Sequence, residues 1–358
     1  MSASTMAGAP GAPSNDAIVV VDGVDVPASP SEAVPATAAA WLEEWVPRGV
    51  YTATRTTGHH ACLSRWDAHA KRLRGMLSAL REHDPVSFAS APELPATDEA
   101  MRALLAPTVE RVLERRRAMT AKLESMVVVA VSPSARGAWR VGAHACAFDP
   151  AARLPRATCA VVPDSKRAWP SVKDTAWPSR RRALVENARA AEADGAARPF
   201  DEILLSDARG DALAEGGVNN VFVVVARVTN ENSTVAAGSR PLELFVRTAP
   251  VSECLAGVGR AEAMRACEAL GVRVEEKTPR LSENDASRGE VWVEAFLTNA
   301  VRGVRGVREI RSVVGGTERG SVLFEGQGFE KGETAGVASV TSRLEAYFDA
   351  ASAERARA

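Results

Sequence analysis

The sequence predicts an α+β protein of two domains. Strand-like and helix-like segments are mixed along it without strict βαβ alternation, and a short proline-punctuated polar stretch, FDPAARLPR at 148–156, interrupts them near the middle. The chain has 358 residues, 46% of them hydrophobic and 25% charged, which is enough apolar mass for two ordinary cores.

Residues 1–16 are small and polar and read as a disordered N-terminus, followed by a first domain over 17–150. Ala17–Val21 and Gly49–Thr57 are rich in β-branched and aromatic residues and read as strands. In Leu63–Leu80 the apolar positions Trp66, Ala70, Leu73 and Leu77 recur every three or four residues, the spacing of an amphipathic helix. Residues 98–119 also read as helical, with Pro107 expected to interrupt them. Strands are expected at Ser125–Val131 and Trp139–Phe148.

The second domain is expected over 151–349, with a tail at 350–358. Its strands are placed at 158–162, 202–206, 221–228, 242–247, 272–276 and 291–297, and its helices at 179–194, Arg260–Leu270 and 338–349. Asp207–Gly210 reads as a turn, 229–241 as a polar mobile loop, and the stretch after 297 as a long loop region. Gly271 stands where a left-handed helix cap is needed.

Composition excludes several classes. With 44 basic against 45 acidic residues the formal net charge is −1, so no concentrated basic face is expected for nucleic acid or a membrane surface. No apolar run approaches the roughly 20 residues of a membrane span. The five cysteines are widely spaced and form no CxxC pair, as in a reducing compartment, and the five histidines lack the HExxH spacing, so no metal site is expected. No basic residue precedes Arg48, whereas Asp16, Asp22 and Asp25 do, so the start resembles neither a secretory signal nor a transit peptide. A cytoplasmic protein is the expectation, with an organelle left open should a leader have been removed. LAGVGRAE lacks the third glycine of a dinucleotide fingerprint, and neither GxxxxGK[ST] nor GxSxG occurs.

Lysine is scarce: Lys71, Lys122, Lys166, Lys173, Lys277 and Lys331 are the whole set. Lys173 stands in AWPSVKDTAW, beside Val172, Trp169 and Trp177. Apolar surroundings penalise the charged ammonium and so favour a nucleophilic amine, although a buried lysine near tryptophans also occurs as plain structure. A second feature runs from Asp207 through Glu215, Gly216, Gly217, Asn219 and Asn220 into a buried strand. It reads as a carboxylate held against a protonated ring nitrogen, with glycines letting backbone lie close to a planar ligand, or as a surface hairpin. The third, TAPVSECLAGVGR at 248–260, is a loop opening into a helix, either an anion site or a glycine-capped helix start. Arg72 adds a guanidinium suited to gripping a phosphate through paired hydrogen bonds.

Together these segments resemble the fold-type-IV pyridoxal-5′-phosphate (PLP) enzymes: branched-chain and D-amino-acid aminotransferases and aminodeoxychorismate lyase. The similarity is nearest to a plant and algal class-IV aminotransferase-like group. RGVYTATRT (48–56), HAKRL (69–73), VKDTAW (172–177), DEILLSDARGDALAEGGVNNVFVV (201–224), TAPVSECLAGVGR (248–260), LGVRVEEK (270–277) and EAFLTNAVRGVRGVREI (294–310) carry it. The resemblance implies a two-domain fold with the site between domains, and PLP as cofactor. It implies that Lys173 is the catalytic residue, carrying the cofactor as a Schiff base, and that Glu215 faces the pyridine nitrogen. Arg72 with the amides of Val258 and Gly259 would hold the phosphate across the two domains, with Asn299 and Ala300 as a second phosphate loop. Tyr51, Arg55 and Trp177 would line the substrate side, Arg55 as candidate for the substrate carboxylate. The implied activity moves an amino group between an amino acid and a 2-oxo acid in a homodimer. Pyruvate elimination of the lyase type and a non-catalytic PLP-binding paralogue are the alternatives. Branched-chain enzymes usually have an Asn-Tyr pair shortly after the lysine; here DTAWPSRR puts Trp177 and Pro178 there, with no tyrosine hydroxyl.

Overall fold

The computed structural model describes residues 16–26, 34–119, 123–192, 199–228, 242–313, 322–326 and 339–357. Residues 1–15 and the segment 229–241, expected as a disordered start and a mobile loop, lie outside the described residues. The chain divides into two compact units, one of residues 1–153, 171–183 and 351–358, the other of 154–170 and 184–350. Among the described residues no helix is long and apolar enough to cross a membrane.

The first unit contains β1 (Ile18–Val21), β2 (Val24–Asp25), α1 (Ala38–Glu44), β3 (Val50–Thr57), β4 (Cys62–Leu63), α2 (Trp66–His83), α3 (Asp98–Met119), β5 (Glu124–Pro133) and β6 (Trp139–Phe148). The strands form an antiparallel sheet in the order β2-β1-β6-β5-β3-β4. Strand alternation divides β3 between two faces. Val50, Thr52, Thr54 and Thr56 are fully buried on one, and Tyr51, Ala53 and Arg55 lie on the other. Helix α2 buries Ala70, Leu73 and Leu77 as its spacing predicts, together with His69, Met76 and Leu80.

Pro107 does not break α3, contrary to the sequence expectation. An interior proline costs about 3 kcal/mol, but this helix buries Met101, Leu105, Val109, Val112 and Leu113. At roughly 1.5–3 kcal/mol for each large side chain, that burial outweighs the penalty. Gly23 leaves room for the proline ring; a Cβ there would stand 3.1 Å from the Cβ of Pro107.

The second unit holds β7 (Ala157–Val162), β8 (Glu202–Ser206), β9 (Leu213–Gly216), β10 (Asn220–Val228), β11 (Leu242–Thr248), α5 (Val258–Ala269), β12 (Arg273–Glu276), β13 (Glu290–Asn299), β14 (Gly303–Ser312) and β15 (Val322–Glu325). Helix α4 (Trp177–Glu192) begins in the first unit and ends in the second, and α6 (Val340–Arg357) extends well past its expected end at 349. The mixed sheet runs β12-β11-β10-β13-β14-β7-β8-β9, with β15 paired to β14. Phe222 and Phe296 stack at 4.8 Å between ring centres in one buried cluster beside this sheet. Strand β14 replaces the loop expected after 297. A register shift between Val307 and Glu309 resets its in-out alternation, which hides the strand from a period-two reading.

Candidate active site

Lys173 follows Val172 in a short segment docked on β3. The Tyr51 amide donates to the Lys173 carbonyl at 2.9 Å and the Thr175 amide to that of Gly49 at 3.0 Å, so the segment lies like a further strand against the start of β3. Gly49 is required here, because a Cβ would stand 2.2 Å from the carbonyl oxygen of Val131. The Thr175 hydroxyl accepts from the Gly49 amide at 3.0 Å and donates to the Pro47 carbonyl at 3.1 Å. The Thr175 hydroxyl, two residues after the lysine, is therefore spent on holding the loop. Arg48 adds an ion pair to Asp174 at 3.4 Å.

The Lys173 side chain is 8% exposed, and its Nζ stands 4.8 Å from the centre of the Tyr51 ring. Burial disfavours the charged amine while the face of the Tyr51 ring attracts it. The structure thus brings together Lys173 and Tyr51. Trp177, also buried, opens α4 and donates its amide to the Asp174 carbonyl at 3.0 Å. Arg55 lies four residues beyond Tyr51, roughly 13 Å along the strand, where its guanidinium sits 5.9 Å from the Phe148 ring.

Arg72 projects from α2 towards β3, and its Nη2 donates to the Thr52 hydroxyl at 2.6 Å. The same hydroxyl lies 2.6 Å from Nδ1 of His69. Burial first, then the Arg72 and Lys173 cations, push the His69 pKa well below its ordinary 6.5, so the ring is neutral at physiological pH. Neither Thr52 nor His69 was singled out in the sequence. The i, i+3 spacing of His69 and Arg72 on one helix face was the available signal.

In the second unit, Glu215 stands on β9 at 2% exposure. The Leu255 amide donates to its Oε2 at 3.3 Å, and the Arg167 guanidinium stands 2.8 Å from its Oε1. A cation that close, with both side chains buried, favours the ionised carboxylate. Arg167 was not anticipated; nothing in SKRAWP distinguishes it from the other arginines.

Leu255 lies two residues before Gly257, the N-cap of α5, so the chain brings the Glu215 carboxylate to the entrance of that helix. No side chain caps α5, and its first residues are Val258 and Gly259. The amides of a first helical turn have no intrahelical acceptor and favour an anion. The two glycines fit this start closely against its neighbours. A Cβ on Gly257 would meet Asn220 Oδ1 at 2.1 Å, and one on Gly259 would meet the Asn299 carbonyl and the Ala300 nitrogen at 2.5–2.9 Å. Asn299 is itself fixed, accepting from the Val301 and Arg302 amides at 2.9 and 2.8 Å and donating to Asn219 Oδ1 at 2.6 Å. Thus Val258, Gly259, Asn299 and Ala300 form one backbone cradle in which a side chain at 259 has no room.

The two sheets and their connections define a transaminase fold. A fold IV transaminase from Curtobacterium pusillum matches with a TM-score of 0.59 at 15% identity over 94% of this chain and 99% of its own. A branched-chain aminotransferase from Thermoproteus uzoniensis matches at 0.56, with 19% identity over 94% and 95%. An aminotransferase from Brucella abortus, bound to PLP, matches at 0.58, with 16% identity over 94% and 99%. The class IV amino-transferase family model matches residues 49–310, and the chain belongs to that family. A search of curated protein sequences finds no match.

Proposed function

We infer that the chain is a PLP-dependent aminotransferase that moves an amino group between an amino acid and a 2-oxo acid, with Lys173 as the attachment residue. The observation that carries this is the Lys173 amine, buried and held 4.8 Å from the Tyr51 ring by a segment pinned to β3. The glycine cradle at the start of α5 and the buried, ionised Glu215 suit a phosphorylated ring with a basic nitrogen, as in the PLP-bound Brucella abortus relative.

PLP, when bound, supplies an electron-poor ring that takes up the charge left at the substrate α-carbon. Lys173 would form the covalent link to the cofactor, and its amine is the base assigned to take the substrate α-proton and hold it. Glu215, paired with Arg167 at 2.8 Å, would hold a proton on the ring nitrogen. We assign the phosphate to Arg72 and to the Val258 and Gly259 amides, with Asn299 and Ala300 shaping the cradle around those amides. Tyr51, whose ring lies against the Lys173 amine, and Trp177 are assigned to the substrate side, and Arg55 to the substrate carboxylate. We assign the working form as a homodimer, which light scattering reads as twice the 37.8 kDa chain mass.

Reduction with borohydride in the presence of PLP, followed by peptide mapping, is expected to fix the cofactor on Lys173. Lys173→Ala should yield no adduct and lose at least roughly 10³-fold in turnover. With amino donors and no acceptor, the wild type should release one oxo acid per site and stop. Repeated release of pyruvate would indicate elimination instead, and an adduct without turnover on any donor would indicate a cofactor-binding protein.

A further inference from the structure

The buried contact between α2 and β3 extends the assignment of Arg72 and rests on it. Thr52 has one hydroxyl proton and two neighbours, Arg72 Nη2 and His69 Nδ1, each at 2.6 Å. Arginine only donates, so the Thr52 oxygen accepts from it. If Nδ1 of His69 also carried a proton, the Thr52 hydrogen would have no acceptor among the contacts of that side chain. The satisfied arrangement sends the Thr52 proton to Nδ1 and leaves the imidazole proton on Nε2. There Nε2 is buried with no hydrogen-bond partner among the described residues. An unmet buried polar atom is a net cost to the fold, and a phenyl ring would fill similar space without it. The imidazole is therefore explained by its acceptor, Nδ1.

We propose that Thr52 and His69 are positioning residues that aim Arg72 at the phosphate group of the ligand: His69 orients the Thr52 hydroxyl, and Thr52 fixes the guanidinium. The relay contains no carboxylate. A carboxylate at Thr52 would hold Arg72 more tightly, but would also cancel the charge that the phosphate needs. A neutral hydroxyl orients the guanidinium without itself adding an opposing charge. The neutrality of His69, enforced by burial and by the Arg72 and Lys173 cations, belongs to the same arrangement, since an imidazolium could not accept from Thr52.

The test compares binding of PLP and of pyridoxal, which lacks the phosphate, to the cofactor-free full chain. The ratio of the two affinities isolates the phosphate grip from the covalent link to Lys173. Thr52→Val, which keeps the shape and removes the hydroxyl, should lower PLP affinity by about tenfold while pyridoxal binding stays within about twofold. Thr52→Ser should restore the wild-type ratio. His69→Phe should match Thr52→Val, and the double variant should be no worse than either alone, because both break one relay. Equal weakening of PLP and pyridoxal by Thr52→Val would assign the pair to structure and overturn the proposal, as would an unchanged ratio. Arg72→Ala separates the two levels. If it leaves the ratio unchanged, the phosphate assignment of Arg72 itself fails; if it lowers the ratio and Thr52→Val does not, only the relay fails.

Discussion

The two units bury polar groups in different ways. In the first, the buried face of β3 is a row of hydroxyls. Thr52 meets His69 and Arg72, Thr54 donates to the Ser64 carbonyl at 2.9 Å, and Thr56 bonds His60 and Glu124. In the second, a buried arginine and a buried glutamate each sit in ion pairs. Arg247, 2% exposed, meets Glu275 at 2.8 Å, Glu290 at 3.1 Å and Glu283 at 3.2 Å, and Arg167 meets Glu215. Hydroxyls satisfy hydrogen bonds without adding charge to the buried face of β3. In the second unit Arg247 and Arg167 are paired with carboxylates, and the first turn of α5, which has no side-chain cap, is where the backbone dipole favours an anion.

The most severe test of this contrast is Arg247→Met, which keeps the bulk and deletes the central charge. Breaking a buried pair costs about 3–5 kcal/mol. The lower end, about 3 kcal/mol, is expected here, because each carboxylate keeps a second cation: Glu275 has Arg273, Glu290 has Arg227 and Glu283 has Lys277. Thr54→Val in the first unit should cost only about 1 kcal/mol, the worth of one neutral hydrogen bond. Urea unfolding checks both. A loss below about 1 kcal/mol for Arg247→Met would remove the distinction between the units.

Glu215→Gln sharpens the contrast at the chemistry. The amide fills the same space and still accepts from the Leu255 amide, but it neither pairs with Arg167 nor keeps a ring nitrogen protonated. Turnover is expected to fall by about 100-fold, roughly 2.7 kcal/mol of barrier, while PLP affinity changes by less than about tenfold, since the phosphate contacts remain. Steady-state kinetics at saturating PLP, alongside a cofactor titration, gives both numbers. Turnover within about threefold of wild type would remove Glu215 from the role of ring partner.

The elements most legible in the sequence are those whose signal is local. Strand β6 coincides with its expected bounds, β3 begins within one residue of them, and α2 shows its buried face through Ala70, Leu73 and Leu77. Lys173, Glu215 and the glycines before Arg260 stood out because rare residues or turn chemistry mark them in a short window. Other features depend on distant partners. Strand β9 is four residues long and β14 carries a register shift, so neither presents a clear alternation. The seven residues of α1 are too few for helical periodicity, although Thr37 caps it through the Ala40 amide at 3.2 Å. The β1–β2 turn did carry a readable mark, Asp22-Gly23, both at positive φ as a two-residue hairpin demands. Arg167 becomes meaningful only once β9 brings Glu215 to it, and Thr52 only once α2 lies across β3. Partner choice is tertiary, and a one-dimensional pattern does not hold it.

Acidification should also separate the units. All five histidines belong to the first unit. Two of them are buried with depressed pKa values: His69 by burial, then Arg72 and Lys173, and His144 by burial, which prevails over the Pro35 carbonyl and Asp16 and is aided by Arg116. Below about pH 6.5 the unfolded chain protonates these rings and the folded unit does not, so the unfolded state binds more protons and stability falls with pH. At pH 5.5, each ring still neutral in the fold costs up to about 1.4 kcal/mol. In the second unit, Glu275 and Glu290 have depressed pKa values: burial raises them, but Arg273 and Arg247 together outweigh it at Glu275, and Arg227 and Arg247 at Glu290. A depressed carboxylate gives stability that is present above the unfolded value of 4.5 and lost only as pH falls further. Between pH 6.5 and 4.5, therefore, the first unit should weaken while the second holds. Hydrogen exchange at pH 7.5 and 5.5, corrected for intrinsic rates, should show protection lost in β3, β5 and α2 and retained in β10, β11 and β13. His144→Gln should flatten part of the first unit's response, and uniform loss across both units would show that the buried imidazoles do not govern it.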